Sequence, residues 1–229
     1  MILQHKGVET VMQVCCRDRN RLALQADVLA AGAAGITHIM AVQGEAPGFG
    51  DHHQARAVYD IELIEFLNVL KTLQMGKDMA GIELAGAPRF SVGATANAGL
   101  EGLALDREID EMRLKIDAGA GFFILPPVFD ISAIRPFMAR IVQLNVHVIP
   151  TVLLLKSLGM ARYVQRHLSH VYIPDSVIER LKKAPEKARE CVMIAAETIS
   201  SLKAEGFGGV MISTIGWENR LPEIIEAIK

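Results

Sequence analysis

Cysteine, long apolar runs and an excess of charge of one sign are all scarce in this 229-residue sequence. Its three cysteines include the adjacent pair Cys15 and Cys16, an odd number and a spacing that do not make a disulfide framework. No apolar run approaches the ~20 residues that a membrane span needs, and the opening MILQHKGVET lacks the layout of a signal peptide. We therefore expect a cytoplasmic protein with no membrane partner.

The charge balance and the possible metal ligands exclude two further classes. Lys and Arg number 24 against 26 Asp and Glu, so the formal net charge of −2 gives no overall attraction to nucleic acid. The pairs Cys15–Cys16 and His52–His53 do not have the spacing of zinc ligands, and we expect no metal. Hydrophobic residues make up 51% of the chain, which excludes intrinsic disorder and is enough for a sizeable core.

Short apolar segments alternate with longer amphipathic ones along the whole chain. Six strands are predicted, at 11–16, 37–42, 90–96, 122–127, 146–154 and 209–215, with a further short one at 171–174. Helices are predicted at 19–35, 61–74, 105–120, 131–144, 158–168, 186–206 and 221–229. In the third helix, Asp106 is expected near the start and Gly119 at the end. The alternation predicts a single α/β domain over residues 1–229 with a parallel sheet.

The loops distinguish between two kinds of parallel sheet. No G-x-G-x-x-G follows the first predicted strand, so the dinucleotide-binding fingerprint of the Rossmann fold is absent. The long loops, among them QGEAPGFGDHHQARAVYD, follow the carboxyl ends of strands, where (β/α)8 barrels place their active sites. We therefore predict a TIM-type (β/α)8 barrel that is incomplete, with about six of its eight βα units present.

Four stretches of the sequence resemble the methylenetetrahydrofolate reductase family: CRDRNRLALQADVLAAGAAGITHIMAVQGEAP, KIDAGAGFFILPPVFD, VIPTVLL and GGVMISTIGWENRLPEII. The resemblance covers nearly the whole chain, and its most specific part runs from Asp117 to Asp130. It implies a barrel with a non-covalent flavin, FAD or FMN, which passes a hydride from NAD(P)H or another reductant to 5,10-methylenetetrahydrofolate. The product is 5-methyltetrahydrofolate, used in one-carbon metabolism for methionine synthesis or the acetyl-CoA pathway.

The same resemblance implies the site residues. Glu45, the candidate catalytic residue, falls on a family acid that lies near the flavin ring, tunes it and contacts the pterin. Seven further positions fall on cofactor-binding ones: Gln13, Gln43, Gly44, Tyr59, Ala94, Thr95 and Lys115. Several have plainer explanations as well. Glu45 can be a solvated loop residue, Lys115 a solvent-facing charge of an amphipathic helix, and Tyr59 a packing contact before a helix.

The sequence departs from the family in four places. The family's first two strands have no counterpart, so about 60 residues with the catalytic glutamate are expected to be missing. Leu125 and Pro126 replace a Thr-Gln pair whose glutamine hydrogen-bonds the pterin. Glu45 replaces an aspartate, and Leu114 replaces a basic residue that would meet a cofactor phosphate.

These departures keep three other interpretations open. The chain can be a non-catalytic or partner-dependent barrel subunit that binds a pterin or a protein. It can be a pterin-dependent methyltransferase on a related barrel. Its two open sheet edges also predict a homo-oligomer, or a partner subunit that completes the barrel.

Overall fold

The computed structural model describes residues 6–49, 52–168 and 171–228, and a six-stranded sheet lies in this part of the chain. The strands are β1 (Val11–Cys15), β2 (His38–Val42), β3 (Ser91–Thr95), β4 (Phe122–Pro127), β5 (His147–Leu153) and β6 (Met211–Ser213). They follow one another in the sheet in chain order, and the pairs β1–β2, β2–β3 and β5–β6 are parallel. Gly50 and Asp51 of the predicted loop and Lys229 of the predicted last helix lie outside the described residues.

Eight α-helices lie among the described residues: one follows each of the first four strands, three follow β5 and one follows β6. They are α1 (Arg21–Ala33), α2 (Leu63–Gln74), α3 (Gly102–Asp117), α4 (Arg135–Ile141), α5 (Leu158–His167), α6 (Asp175–Lys183), α7 (Lys187–Ala204) and α8 (Leu221–Ala227). Short 3-10 turns occur at Pro47–Phe49, Ile131–Ala133, Val142–Leu144 and Glu218–Arg220. Sequential strand order with an intervening helix is the topology of a (β/α) barrel, and the predicted incomplete (β/α)8 barrel is confirmed.

One compact unit comprises the described residues of Met1–Thr95 and Glu111–Phe123. Helix α1 begins where the Asn20 side chain accepts a hydrogen bond from the backbone N–H of Ala23, because this satisfies one free donor of the first turn. The core of this unit is built from fully buried apolar side chains of α1, β2 and α2: Leu24, Val28, Ile39, Phe66, Leu67, Leu70 and Leu73.

Within this unit, β3 and the first residue of β4 meet at a glycine. A Cβ atom placed on Gly93 would lie 2.1 Å from the ring of Phe122, which is far inside van der Waals contact. The ring therefore occupies the volume that any other side chain at position 93 would need. Phe122 is itself buried, so it has little room in which to move aside.

The second compact unit comprises the described residues of Ala96–Asp110 and Ile124–Lys229. Its core includes Phe137, Leu154, Leu155, Ala161, Leu181, Leu202 and Ile224, all of them essentially inaccessible to solvent. The Arg180 guanidinium of α6 bonds both the Glu190 and the Glu197 carboxylates of α7. These ion pairs hold the two helices together on their exposed side.

Three details of the sequence-based prediction are wrong. Residues 171–174 form no strand, because the Val171 N–H donates to the Leu168 carbonyl and the Ile173 carbonyl accepts from the Gln165 side chain instead of a neighbouring strand. The next helix, α6, was not predicted. Asp106 lies in the second turn of α3 and pairs with Arg140 at 2.7 Å, since the helix already begins at Gly102.

Candidate functional site

The carboxyl ends of β1 and β2 form the framework of the candidate site in the first unit. Pairing continues past both strands, because the Cys16 and Arg17 N–H groups donate to the Val42 and Gln43 carbonyls, each at 3.0 Å. The loop that follows β2 therefore leaves the sheet at a fixed place. Its first residues are Gln43, Gly44 and Glu45.

Gly44 makes a tight turn that only glycine fits. Its φ is +87°, and a Cβ atom there would lie 2.3 Å from Cys15 Sγ and 2.8 Å from Arg17 Cβ. The Tyr59 hydroxyl donates a hydrogen bond to the Gly44 carbonyl from the far side of the loop. The turn is thus fixed from both directions.

Glu45 extends from this turn with an exposed side chain. Its carbonyl oxygen accepts a 3.0 Å hydrogen bond from Arg17 Nη1. The Arg17 Nε atom in turn bonds Asp18 at 2.6 Å, and this hydrogen bond lowers the pKa of the Asp18 carboxyl. The backbone of Glu45 is therefore fixed, while its carboxylate points to solvent.

Gln43 has a structural partner inside the protein. Its side-chain oxygen accepts a 2.8 Å hydrogen bond from the backbone N–H of Leu63, the first residue of α2. The N-cap residue of this helix, Glu62, provides no side-chain cap, so Gln43 takes over that function. Gln43 joins the loop after β2 to the start of α2.

The end of β3 carries Ala94, which is fully buried, and Thr95, which is exposed. The Lys115 ammonium donates a 3.0 Å hydrogen bond to the Thr95 carbonyl and pairs with Glu111 at 2.7 Å. Lys115 is only 4% exposed, so the interpretation of this residue as a solvent-facing charge is wrong. Leu114, at the position of a family basic residue, is exposed.

A cleft of 520 Å³ brings three of the predicted residues together. Its lining includes Gln13, Gly44 and Glu45, with Cys15, Arg17 and Asp18 beside them. The sequence analysis did not select Arg17 and Asp18. Their signal was present in the charged run CRDRN that directly follows β1, at the strand end where loops carry function.

The remaining predicted residues lie apart from this cleft lining. Tyr59 reaches the site through its hydrogen bond to the Gly44 carbonyl. The Gln43 side chain is bound to the first residue of α2. Thr95 and Lys115 form their own contact at the end of β3, and Ala94 contributes only buried backbone there.

In the second unit, the Leu125–Pro126 pair lies in the last half of β4, just before the strand ends at Pro127. Leu125 is buried and its carbonyl accepts a 2.6 Å hydrogen bond from Thr151 Oγ1. Pro126 is half-buried and lines a small cavity of 50 Å³ with Tyr172 and Asp130. The Asp130 side chain accepts from the Ser132 N–H and hydroxyl. Position 126 therefore offers an apolar ring where an amide would offer a donor and an acceptor.

The cysteines and acidic residues build no metal centre within residues 6–49, 52–168 and 171–228, where no three potential ligands come together. Burial raises the pKa of the Cys16 thiol to about 12 and that of Cys191 to about 11, and all three cysteines are free. No helix of the described chain is long and apolar enough to cross a membrane.

The strand order and the site at the strand ends define the class, an α/β protein of the (β/α)-barrel type with six of the eight strands. The chain belongs to the methylenetetrahydrofolate reductase family, whose model matches residues 1–229. Members of this family are folate-related oxidoreductases that are generally flavin-dependent. No curated protein matches the chain.

Two solved structures superpose over the chain with low similarity. One is the tryptophan synthase alpha subunit from Legionella pneumophila str. Paris, with a TM-score of 0.42, 12% identity and coverage of 100% of this chain and 88% of that one. The other is the carboxyl transferase domain of Rhizobium etli pyruvate carboxylase with pyruvate, with a TM-score of 0.39, 12% identity and coverage of 99% and 44%.

Proposed function

We propose that this chain is a flavin-dependent 5,10-methylenetetrahydrofolate reductase, which forms 5-methyltetrahydrofolate for methionine synthesis or the acetyl-CoA pathway. The observation that carries the proposal is the cleft at the ends of β1 and β2, where Gln13, Gly44 and Glu45 meet in a member of this family. NAD(P)H or another reductant would be the electron donor. A fixed loop with an exposed carboxylate is suited to act on a ligand bound at the strand ends.

The chemistry of the side chains fits a flavin ring. Gln13 in the middle of β1 and Thr95 at the end of β3 have exposed polar side chains, and an amide and a hydroxyl can each donate to the polar edge of the ring. Ala94 presents buried backbone, and Lys115 supplies a buried cation nearby. A flavin, when bound, supplies the hydride transfer, and the protein supplies position and electrostatic field.

Glu45 is the residue proposed to act on the reacting groups. The hydrogen bonds of Arg17 and Tyr59 hold the backbone of the Gly44–Glu45 turn, so the carboxylate extends from a rigid base. A fixed negative charge beside the ring disfavours further negative charge there, and a carboxylate accepts hydrogen bonds from the N–H groups of a pterin. Gln43 and Tyr59 are positioning residues, because they hold this turn and the start of α2.

The visible spectrum of the purified chain, with and without added FAD, tests the proposal. A flavin band that stays with the protein through gel filtration would support it. It would also justify an assay of methylenetetrahydrofolate reduction with NADH and NADPH. A colourless protein that takes up neither FAD nor FMN would contradict it.

A partner-dependent or non-catalytic barrel subunit is the second candidate, and Pro126 favours it. Proline has no side-chain amide to recognise a pterin ring. A site that loses such a donor and acceptor loses much of its discrimination. Retained flavin without any folate reduction would favour this second candidate.

A further inference from the structure

One edge of β1 is open. Among the strands of the described chain, β1 pairs with β2 alone. The Cys16 N–H donates to the Val42 carbonyl of β2, and the N–H and C=O groups of successive strand residues point alternately to the two sides of the strand. The corresponding groups of Val11, Gln13 and Cys15 therefore point to the open edge. Unpaired backbone groups in such a row are a template for a further strand.

This edge is accessible along its whole length. Four consecutive residues of β1, Met12–Cys15, line the 520 Å³ cleft, so the cleft runs along the strand and not only over one of its faces. A second cavity, of 340 Å³, is lined by Gly7–Thr10 directly before the strand. Val8 and Val11 are 48% and 54% exposed, so the edge also presents apolar side chains to solvent.

The sequence of the edge complements itself about Gln13. Two positions away on either side lie Val11 and Cys15, an apolar residue and a thiol of similar size. Four positions away lie Glu9 and Arg17, which carry opposite charges. When two copies of the strand lie antiparallel with Gln13 opposite Gln13, the members of each of these pairs face each other. Opposite charges in directly facing positions stabilise a strand pair.

Both charged groups have capacity for this contact. The Arg17 guanidinium makes two hydrogen bonds to Asp18 and one to the Glu45 carbonyl, three of the five that it can donate. The Glu9 side chain is exposed and has no hydrogen bond or ion pair within the part of the chain that the structure describes. A second copy thus brings a carboxylate without a partner to a guanidinium with free donors.

We propose that two copies of this chain associate through β1, with the two strands antiparallel across a two-fold axis at Gln13. The contact is isologous and joins the two six-stranded sheets into one. Backbone groups of Val11, Gln13 and Cys15 exchange about six hydrogen bonds across the axis. The second copy lies on the side of β1 away from β2, so it adds a wall to the cleft while the Gly44–Glu45 turn after β2 stays open. The inference goes beyond the proposed function, since it requires neither flavin nor folate.

A disulfide cross-link tests the register of the two strands. Facing residues of a hydrogen-bonded antiparallel pair have Cα atoms about 5.5 Å apart, within the range of a disulfide. Gln13→Cys should therefore give a covalent dimer, of twice 25.0 kDa, when the intact chain is oxidised with diamide. The two Cys15 residues of a wild-type dimer would be roughly 14 Å apart along the strands and should not be linked. Glu101→Cys, at an exposed residue just before α3, is the matched control.

Charge reversal tests the same register in solution. Sedimentation velocity of the wild type between about 1 and 100 µM should show a monomer–dimer equilibrium, because one strand pair is a small interface. Glu9→Arg places like charges opposite each other twice per dimer and should weaken the association roughly tenfold. The double variant Glu9→Arg/Arg17→Glu should restore it. Glu226→Arg, at an exposed residue of α8, is the control for net charge. The cross-link decides if the double variant does not fold.

The outcomes distinguish this interface from other contacts and from the proposed function. The expected result is a dimer that Gln13→Cys links, that Glu9→Arg weakens and that the double variant restores. A chain that stays monomeric up to about 100 µM overturns the inference. A dimer that neither links nor responds to Glu9→Arg also overturns it, because another surface then holds the two copies. A chain that dimerises as expected but takes up no flavin contradicts the proposed function alone.

Discussion

The Tyr59 hydroxyl donates a 2.9 Å hydrogen bond to the carbonyl oxygen of Gly44, across 15 residues of chain. Both residues have positive φ, +42° at Tyr59 and +87° at Gly44. The bond joins the two ends of the long loop that follows β2, at the residue directly before Glu45. The position of the proposed catalytic carboxylate therefore depends on a phenol located next to α2.

Tyr59→Phe removes this hydrogen bond and keeps the ring. We expect a loss of about 1 kcal/mol in the free energy of unfolding, the usual net value of one partly buried hydrogen bond. Urea denaturation followed by circular dichroism measures the loss. Tyr172→Phe is the control, because that side chain is exposed, and its stability should change by less than about 0.5 kcal/mol. Equal effects of the two substitutions would argue against the bond.

Gly44→Ala tests the tight turn itself. The new methyl group would collide with Cys15 Sγ at 2.3 Å, and the positive φ disfavours alanine as well. We expect a loss of about 2–4 kcal/mol from strain and overpacking together. Gly48→Ala is the matched control, since nothing lies within 4 Å of its added Cβ. Thermal unfolding that leaves the Gly44 variant as stable as the Gly48 variant would contradict the geometry.

Glu45→Gln tests the electrostatic role of the carboxylate. Removing a negative charge near the ring makes reduction easier, so the midpoint potential of the bound flavin should rise by roughly tens of millivolts. Spectroelectrochemical titration of the flavin-loaded protein measures it. An unchanged potential would show that Glu45 does not tune the ring. Glu226→Gln, which changes an exposed residue of α8, is the control for net charge.

Alkaline pH should destabilise the protein through Cys16. Burial raises the pKa of this thiol from its ordinary 9.0 to about 12, so the unfolded chain loses the proton first as pH rises. This stability contribution is present below pH 9 and is lost as the pH rises towards 12. Urea unfolding between pH 8 and about 10.5 measures the decline.

Cys16→Ala should reduce the slope of that decline without abolishing it, because Cys191 is buried and has a raised pKa as well. The slope of the free energy of unfolding against pH is compared between variant and wild type, and not its absolute value, because the lost packing lowers the stability at every pH. A slope that equals that of the wild type would contradict the assignment to Cys16.

Much of the fold follows from short-range patterns in the sequence. The strand FFILPP was predicted with the bounds that the structure shows, because an apolar run between the glycine Gly121 and a Val-Phe-Asp turn is a clear signal. Residues 171–174 resemble this strand in composition, but no strand of the described chain pairs with them. Whether a segment finds a strand partner depends on the tertiary fold and cannot be seen in the local sequence. Helix α6 was missed because it is only nine residues long and five of them are charged, so it reads as a polar connection, although Leu181 is fully buried.

The candidate site, like the fold, could be predicted only in part from the sequence. Glu111 and Lys115 are four residues apart, and that spacing could have identified the ion pair from the sequence. The burial of Lys115 could not be found in this way, since this residue of α3 reaches the Thr95 carbonyl at the end of β3, twenty residues earlier in the chain. Gln43 likewise looked like a cofactor residue, and its bond to Leu63 appears only when the loop and α2 are placed together.

The contact between Gly93 and Phe122 constrains how this sequence can change. The ring fills the place of a side chain at position 93, so a single substitution of the glycine collides with it at 2.1 Å. A smaller residue at position 122 would have to come first, and it would leave a void beside β3 until the glycine was replaced. Each single step is thus unfavourable, and a laboratory library that varies one position at a time would recover neither replacement. Only paired randomisation of the two codons would reach the alternative packings.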